Sequence, residues 1–309
     1  MVRPRVYLAT SAAFPELDRD DAGLPDALYE RGLEPRVAVW NDPSIDWNDA
    51  DLVVVRSVRD YAQSSQEFIQ WARAVPRILN SADTIEWNMD KHYLQALERH
   101  GLSTIPTTWL EPSMNLSKRQ IHSRFPAHGD FVVKPAVSSG GRGTGRYTAT
   151  DASSRAEAIL HAQYELSQGR SVMVQRYLHE IDRSGEISLI YLNGIAAYQV
   201  EKEPMLHPRF RNVKEADVVE EIVHMRDATE ESWRWGERIR AALHGYMKEV
   251  TGREELLLFN RVDIVLGDEG AEPDFYVMEI SLIDGQLYLS KDEEHLNRFA
   301  DAIQTRVSW

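Results

Sequence analysis

The 309-residue sequence contains no cysteine, which excludes thiol catalysis, thiolate metal sites and disulfide bonds. Basic residues are also scarce: 35 Lys and Arg stand against 49 Asp and Glu, and the formal net charge is −14. This balance argues against a general nucleic-acid binder or a partner of anionic membranes, although a local basic pocket can still bind a small anion. No apolar run approaches the roughly 20 residues that a membrane span needs. These absences fit a cytoplasmic enzyme.

Two common nucleotide-binding motifs are missing as well. A Walker-type loop ends in Gly-Lys-Ser/Thr and opens a helix, whereas the glycine-rich loop of this chain ends Gly145-Arg146-Tyr147 and continues as a predicted strand. A dinucleotide fingerprint follows the first strand of a βαβ unit, and the residues after 5–11 contain no glycine where that motif needs it. The absence of this motif argues against a nicotinamide enzyme.

The most informative segment that is present is residues 131–147. A strand-like run delivers Lys134, and a loop with glycines at positions 140, 141, 143 and 145 follows before a second short run. We expect a hairpin whose glycine-rich tip, including Ser139, Gly140, Gly141 and Gly143, closes its backbone N–H groups over phosphates, with Lys134 opposite their charge. The alternative is a flexible surface hairpin without a ligand.

The first hundred residues alternate strand and helix signals. Strands are predicted at 5–11, 37–40 and 51–57, and helices at 24–31, 61–75 and 88–100. This alternation indicates a small parallel sheet covered by helices, whose ligand contacts lie after the carboxyl ends of the strands. The candidate substrate residues at those ends are Ser11, Arg56, Ser57, Asp60 and Tyr61.

The rest of the chain divides into two further units. Residues 113–178 contain the glycine-tipped hairpin, a helix at 153–168 and a strand at 172–178, and residues 179–309 are dominated by antiparallel hairpins. The predicted domains are therefore 1–112, 113–178 and 179–309, in an α/β (α+β) fold. Residues 204–217 contain proline, histidine and two arginines and are typical of a mobile active-site loop.

Two hairpins allow a prediction of strand register. Symmetric pairing of residues 256–266 with 275–281 places Asp263 opposite Glu279 and Arg261 opposite Ser281, on one face of a sheet. Two opposed carboxylates near a phosphate site indicate Mg²⁺, because both ligands are oxygens; the alternative is a solvated hairpin in which Arg261 neutralises Asp263. The same count about Asn193-Gly194 places Glu186 opposite Glu201 and Ser188 opposite Gln199.

The strand at 172–178 ends in the polar bend 179–183. A buried strand that stops in a polar bend is a plausible reader of an adenine edge, with Glu180 or Asp182 on the ribose hydroxyls. A plain exit from strand to loop is the alternative.

Several features occur in a characteristic order along the chain. They are Lys91 in a predicted helix, Lys134 before the glycine-rich hairpin, Val174 to Leu178, Gly185-Glu186-x-Ser188, an arginine-containing loop, Arg261-x-Asp263 and Met278-Glu-Ile-Ser281. This ordered set resembles the ATP-grasp ligases, especially the branch of glutathione synthetase and D-alanine–D-alanine ligase. The resemblance covers essentially the whole chain and implies an N-terminal parallel-sheet domain, a small lid domain and a C-terminal antiparallel-sheet domain.

The resemblance also implies roles for individual residues. Lys91 and Lys134 contact ATP phosphates, Gln175, Arg176, Tyr177 and Leu178 the adenine, and Glu180 or Asp182 the ribose. Asp263 and Glu279 hold Mg²⁺, and Arg209, Arg211 and Arg261 stabilise the transferred phosphate and the substrate carboxylate. The sequence departs from the family at Ser281, where an asparagine or a second acid is usual; Ser281 or a water then completes the ligands of the second metal.

The N-terminal pattern narrows the resemblance further. Trp40-x-Asp42, Asp46-Trp47 and the run from Arg56 to Tyr61 are similar to the subgroup that closes O-ureido-serine into cycloserine, an antibiotic. We therefore expect an ATP-dependent ligase that forms an acyl phosphate on a small amino-acid-like carboxylate, which a nitrogen nucleophile then attacks. The alternatives are a small-molecule kinase and a non-catalytic ATP-binding protein. The sequence implies no nucleic-acid or membrane partner, and it leaves open whether the chain forms a homodimer.

Overall fold

The computed structural model describes residues 2–206, 212–213, 221–267 and 273–309, within which the chain folds as a mixed α/β protein. Its helices are α1 (Leu24–Glu30), α2 (Ser65–Ala74), α3 (Ala82–Met89), α4 (Tyr93–Arg99), α5 (Lys118–His122), α6 (Ala152–Ser167), α7 (Glu180–Ser184), α8 (Glu230–Thr251) and α9 (Glu293–Val307). Its strands are β1 (Arg5–Thr10), β2 (Glu34–Val39), β3 (Leu52–Val55), β4 (Ile78–Leu79), β5 (Thr107–Leu110), β6 (Asp130–Pro135), β7 (Thr144–Thr148), β8 (Val172–Arg176), β9 (Glu186–Leu192), β10 (Ile195–Lys202), β11 (Asn212–Val213), β12 (Val223–Met225), β13 (Phe259–Leu266) and β14 (Phe275–Ser281).

The N-terminal sheet is parallel throughout, in the order β2-β1-β3-β4, as the alternation of strands and helices predicted. All four residues of β3 are buried, which explains why its sequence is a continuous Leu-Val-Val-Val run. On one face, Trp40 and Trp71 pack with Phe68 of α2 at ring distances of 5.1–5.9 Å. This sheet presents the carboxyl end of β1 and β3 to the rest of the molecule.

The central sheet is antiparallel, in the order β11-β7-β6-β8-β5, and α6 packs on one of its faces. The predicted glycine-tipped hairpin is confirmed as β6 and β7. Strand β5 pairs with β8, so Thr107–Leu110 forms the edge of this sheet although it precedes residue 112, where the N-terminal domain was predicted to end.

The C-terminal sheet is antiparallel, in the order β12-β10-β9-β13-β14. Helix α8 covers one face, and Thr229 caps its first turn because Thr229 Oγ1 accepts a hydrogen bond from Ser232 N at 3.0 Å. Helix α9 returns to the first domain, where Phe299 and Ile303 share one buried cluster with Val6, Leu8 and other residues of the N-terminal sheet. The predicted combination of one parallel sheet with two antiparallel units is confirmed.

Two local predictions were wrong. The expected helix at 88–100 is broken, because Asp90 Oδ1 accepts a hydrogen bond from His92 N at 3.0 Å and turns the chain between α3 and α4. Lys91 therefore lies in a turn rather than on a helix.

The second error is the register of the hairpin at Asn193-Gly194. Ala196 pairs with Tyr191 and Tyr198 with Ile190, so Ala197 is an extra residue in a β-bulge. The bulge places Glu186 opposite Lys202 instead of Glu201, and Ser188 opposite Val200 instead of Gln199.

Candidate active site

A deep cleft separates the central sheet from the C-terminal sheet and contains about 1380 Å³ of empty space, part of it open to solvent. Strands β6 and β8 form one wall, β13 and β14 form the other, and the turn that holds Lys91 closes one end. The cleft lies between two sheets that belong to different units of the chain, and small-molecule sites occur preferentially at such boundaries.

The glycine-rich loop lies over this cleft. Gly140, Gly141 and Gly143 have φ values of +63°, +69° and +68°, a conformation that side-chain-bearing residues rarely adopt. At Gly141 space is also short, since a Cβ atom would stand 2.6 Å from the sulfur of Met205. Ser139, Gly140 and Gly141 line the cleft, whereas Gly143 lines a smaller cavity behind the loop.

Two lysines meet in the cleft beneath the loop. Lys91 Nζ donates a hydrogen bond to Ser138 O at 3.0 Å and lies 3.4 Å from Glu279 Oε1, so it connects the loop to β14. Lys134 projects from β6 into the same cleft and donates no hydrogen bond to any residue that the structure describes. Burial lowers the pKa of the Lys134 ammonium to about 8. An ammonium group that faces the cleft and donates no hydrogen bond to a described residue is suited to a phosphate.

This pKa predicts how nucleotide affinity depends on pH. Below about pH 8 Lys134 is charged before the nucleotide arrives, and above it binding must first protonate the amine. We expect the dissociation constant for ATP to rise up to roughly tenfold per pH unit above 8, with proton uptake on binding. Calorimetry between pH 7 and 9.5 in buffers of different ionisation enthalpy measures both quantities. The same pH dependence in Lys134→Met would contradict the assignment.

The four predicted adenine residues, Gln175 to Leu178, all line the cleft. Gln175 is fixed by a hydrogen bond from its Nε2 to Thr107 Oγ1 at 2.8 Å, and Ile105 and Met278 add apolar surface beside it. The end of β8 therefore offers a mixed apolar and polar wall of the kind that receives a planar base.

The two predicted ribose residues do not line the cleft. Asp182 accepts hydrogen bonds from both terminal nitrogens of Arg146 at 2.9 Å and from Tyr177 Oη at 2.6 Å. Glu180 accepts from Ser184 Oγ within its own short helix. Glu186 does line the cleft, although the sequence analysis named it only in the ordered motif set and gave it no role in the site.

The predicted carboxylate register is confirmed: Asp263 lies opposite Glu279 and Arg261 opposite Ser281, and all four line the cleft. Asp263 is buried and accepts hydrogen bonds from Ser188 Oγ at 2.6 Å, Lys202 Nζ at 2.9 Å and Arg261 Nη2 at 3.0 Å. Burial opposes its ionisation, but the charges of Arg261 and Lys202 outweigh burial and lower its pKa. Glu279 is more open, with 32% of its side chain exposed.

Lys202 is a residue of this site that the sequence prediction missed. Its Nζ lies 2.7 Å from Glu186 Oε2 and 2.9 Å from Asp263 Oδ2, and the Ala197 bulge puts it there. In the sequence, Lys202 stands between Glu201 and Glu203 at the end of β10. This pattern points to the site only when the position of the bulge is known. Asp284 was also missed; it lines the cleft and accepts a hydrogen bond from Ser139 Oγ of the glycine-rich loop.

The predicted arginines have different outcomes. Arg261 donates from Nη1 to Gln286 O at 3.1 Å and so joins the acid pair to the segment after β14. Arg209 and Arg211 lie outside the described residues, as does most of the predicted loop at 204–217. Met205 and Leu206, at its start, line the cleft.

Only Tyr61 of the five predicted substrate residues lines the cleft. Asp60 accepts a hydrogen bond from Trp40 Nε1, and Ser11 Oγ donates to Ser57 O at 2.9 Å. Arg56 and Ser57 both donate to Asp21, at 2.9 and 3.0 Å. Arg56 and Ser57 are thus engaged by Asp21 of the acidic segment 18–21, and Asp60 and Ser11 by Trp40 and Ser57.

Within the described ranges, no group of three or more His, Asp or Glu side chains is placed to hold a metal ion. Mg²⁺ commonly takes only one or two carboxylates and completes its coordination with phosphate oxygens and water. Asp263 and Glu279 therefore fit Mg²⁺ if the nucleotide supplies the remaining ligands. Across the same ranges, every helix is too short or too polar to span a bilayer.

Comparisons with known proteins agree with this geometry. Residues 6–80 match the family model of the N-terminal domain of D-cycloserine synthetase DcsG, and residues 101–244 match that of the ATP-grasp domain of prokaryotic glutathione synthetase. The chain is 29% identical to the cycloserine biosynthesis protein DcsG of Streptomyces lavendulae, over 97% of this chain and 98% of that protein.

Solved structures give the same result. The crystal structure of D-cycloserine synthetase DcsG is similar with a TM-score of 0.81 at 29% identity, covering 98% of this chain and 99% of that one. D-alanyl-alanine synthetase A from Vibrio cholerae is similar with a TM-score of 0.67 over 100% and 98% of the two chains. At 14% identity, the second likeness concerns the fold alone.

Proposed function

Because the chain belongs to the ATP-grasp ligases, we propose that it activates the carboxylate of a small amino acid with ATP and closes a ring on it. The observation that carries the proposal is one cleft in which Lys134, which donates no hydrogen bond to a described residue, and the glycine-rich loop face the Asp263 and Glu279 pair. The match of residues 6–80 to the N-terminal domain of D-cycloserine synthetase supports O-ureido-serine as the substrate and cycloserine as the product.

We assign ATP to the cleft between the two antiparallel sheets. Its base would lie against Gln175 to Leu178, and its phosphates would lie beneath Gly140 and Gly141 with Lys91 and Lys134 beside them. Asp263 and Glu279 would hold Mg²⁺, which supplies charge neutralisation between the phosphates. Ser281 lines the same surface, and a part in metal binding, directly or through water, is a further proposal.

The reaction we propose has two steps. A carboxylate oxygen of the substrate attacks the terminal phosphorus of ATP, and ADP leaves with the electrons of the broken P–O bond. The nitrogen bonded to oxygen in O-ureido-serine then attacks the acyl carbon of the same molecule and releases phosphate, closing a five-membered ring. Hydrolytic loss of the carbamoyl group completes the conversion to cycloserine.

The residues of the chain assist these steps chiefly by position and charge. Lys91 and Lys134 stabilise negative charge on the transferred group, and Arg261 lies beside the acid pair on the opposite wall. Joining nucleophile and electrophile in one substrate makes ring closure intramolecular, which lowers the barrier when the two groups are held in contact. The cleft must then exclude water from the acyl phosphate. We place the enzyme in the cytoplasm, where ATP is abundant.

Product analysis tests the proposal. Incubation with O-ureido-serine, ATP and Mg²⁺ should release one ADP and one phosphate per turnover, without AMP or pyrophosphate, and mass spectrometry should detect the cyclised product. ATP consumption should require the carboxylate substrate and no separate amine. An amide formed only with an added amine would retain the ligase and reject ring closure. A stable phosphorylated product would identify a kinase and overturn the proposal.

A further inference from the structure

A second cavity opens beside the catalytic cleft, between residues 14–20 and the segment 286–291, and contains about 720 Å³ of empty space. Three residues line both cavities: Arg59, Glu221 and Gln286. The junction between the two spaces is therefore bordered by one cation, one anion and one amide.

Glu221 is an ionised carboxylate, and only one of its two oxygens accepts a hydrogen bond from the described residues. Oε2 accepts a hydrogen bond from Tyr288 Oη at 2.7 Å and lies 3.9 Å from Arg261 Nη1, while Oε1 accepts none from the described residues. Only 14% of the side chain is exposed. Burial opposes ionisation, but Lys202 and Arg261 outweigh it and lower the pKa of Glu221. The junction thus presents a charged oxygen that can accept a further hydrogen bond.

Arg59 borders the junction opposite Glu221, and only part of its guanidinium is engaged. Its Nη2 lies 2.5 Å from Asp18 Oδ2, and its guanidinium carbon lies 5.3 Å from the centre of the Phe14 ring. These contacts fix the side chain, which is 11% exposed. Its Nη1 and Nε donate to no described residue, so the three N–H groups on these two atoms remain for a ligand.

We propose that this junction binds the zwitterionic head of an α-amino acid, with Glu221 accepting from its ammonium group and Arg59 donating to its carboxylate. The assignment rests on the proposed ligase function and names the chemical class of its substrate. A substrate with a carboxylate alone would offer no donor to Glu221 Oε1, and a dianion would be repelled by Glu221. An α-amino acid satisfies both side chains at once.

The arrangement also suits ring closure. Fixing the ammonium and the carboxylate fixes the α-carbon between them. The substrate side chain is then the one part free to turn, so it can bring its nitrogen to the activated carbonyl.

The test compares O-ureido-serine with its analogue that carries a 2-hydroxyl in place of the amine. Wild-type enzyme should prefer the amino acid in kcat/KM by at least roughly 30-fold, the low end for losing one partner of a buried charge pair. In Glu221→Gln this preference should fall below about fivefold, with the KM for ATP unchanged. Glu203→Gln is the matched control: Glu203 N donates to Ile222 O beside Glu221, but its side chain is exposed and pairs with His224. It should retain the wild-type preference.

The outcomes separate this inference from the function on which it rests. Equal use of both compounds by wild-type enzyme, or an unchanged preference in Glu221→Gln, would overturn the ammonium site while leaving the ligase intact. If neither compound drives ADP release, the proposed function fails instead, and calorimetric binding of the two compounds still tests the site. Should Glu221→Gln not fold, the wild-type preference alone decides.

Discussion

Replacing Lys134 by alanine should weaken ATP binding by roughly 10- to 150-fold, the effect of losing one hydrogen bond to a charged group at about 1.5–3 kcal/mol. The lysine has no hydrogen-bond partner among the described residues, so its removal breaks no contact that holds the fold. Burial of its charge also disfavours the native state, as its lowered pKa shows. We therefore expect an unchanged or slightly higher melting temperature together with the loss of affinity.

Calorimetry with Mg·ATP and a thermal melt on the same sample measure both effects. Lys248→Ala is the control, because it removes the same charge from an exposed ion pair with Glu254 and should leave affinity unchanged. Nucleotide binding by Lys134→Ala that equals the wild type would remove Lys134 from the phosphate site.

Replacing Glu279 by glutamine should reduce kcat by roughly 10²- to 10³-fold, the range seen when one electrostatic contact to a transition state is removed. The amide keeps the size of the side chain and loses the charge that faces the cleft. Ground-state binding should change less, because Lys91 and Lys134 remain and the metal contributes most when charge moves between the phosphates. ADP release at saturating ATP and substrate measures kcat, and calorimetry measures affinity.

The control is Glu293→Gln, in the first turn of α9 and away from the cleft. It should keep wild-type turnover. A Glu279→Gln enzyme with near-normal kcat would mean that the metal is bound elsewhere, and that the Asp263 and Glu279 register is a structural feature without a catalytic part.

The two hairpins show what a sequence can and cannot tell about register. Counting outward from residue 271 correctly paired Asp263 with Glu279, because the bulge beside Asp263 shifts the register by one residue from that of Leu266 and Phe275 at the turn, and a centre at 271 already contains this shift. The same count failed at Asn193-Gly194, where the bulge at Ala197 lies between the turn and the charged residues. Nothing in the local sequence marks an alanine as a bulge, so Lys202 was missed.

Other errors arose where long-range partners decide what a side chain does. The bend after β8 does carry acids, but Arg146, from a different hairpin, takes Asp182 away from the cleft. Arg56 does lie at the end of β3, but its guanidinium donates a hydrogen bond to Asp21 instead of facing the cleft. Lys134, Asp263 and Glu279, the residues that we propose for phosphate and metal, could be predicted because each lies on a strand next to a hairpin turn. The residues at the substrate junction, Arg59 and Glu221, come from distant parts of the chain and gave no pattern.

The buried cluster shared by α9 and the N-terminal sheet has a consequence for evolution and engineering. Val6 and Leu8 of the first strand pack in the same core as Phe259, Phe299 and Ile303 near the end of the chain. Excising the first 80 residues would strip this core and expose its apolar half. A chimaera could take its N-terminal module from another ligase in order to change the substrate. It would then also need the matching C-terminal helix, or new side chains where the two parts pack against each other.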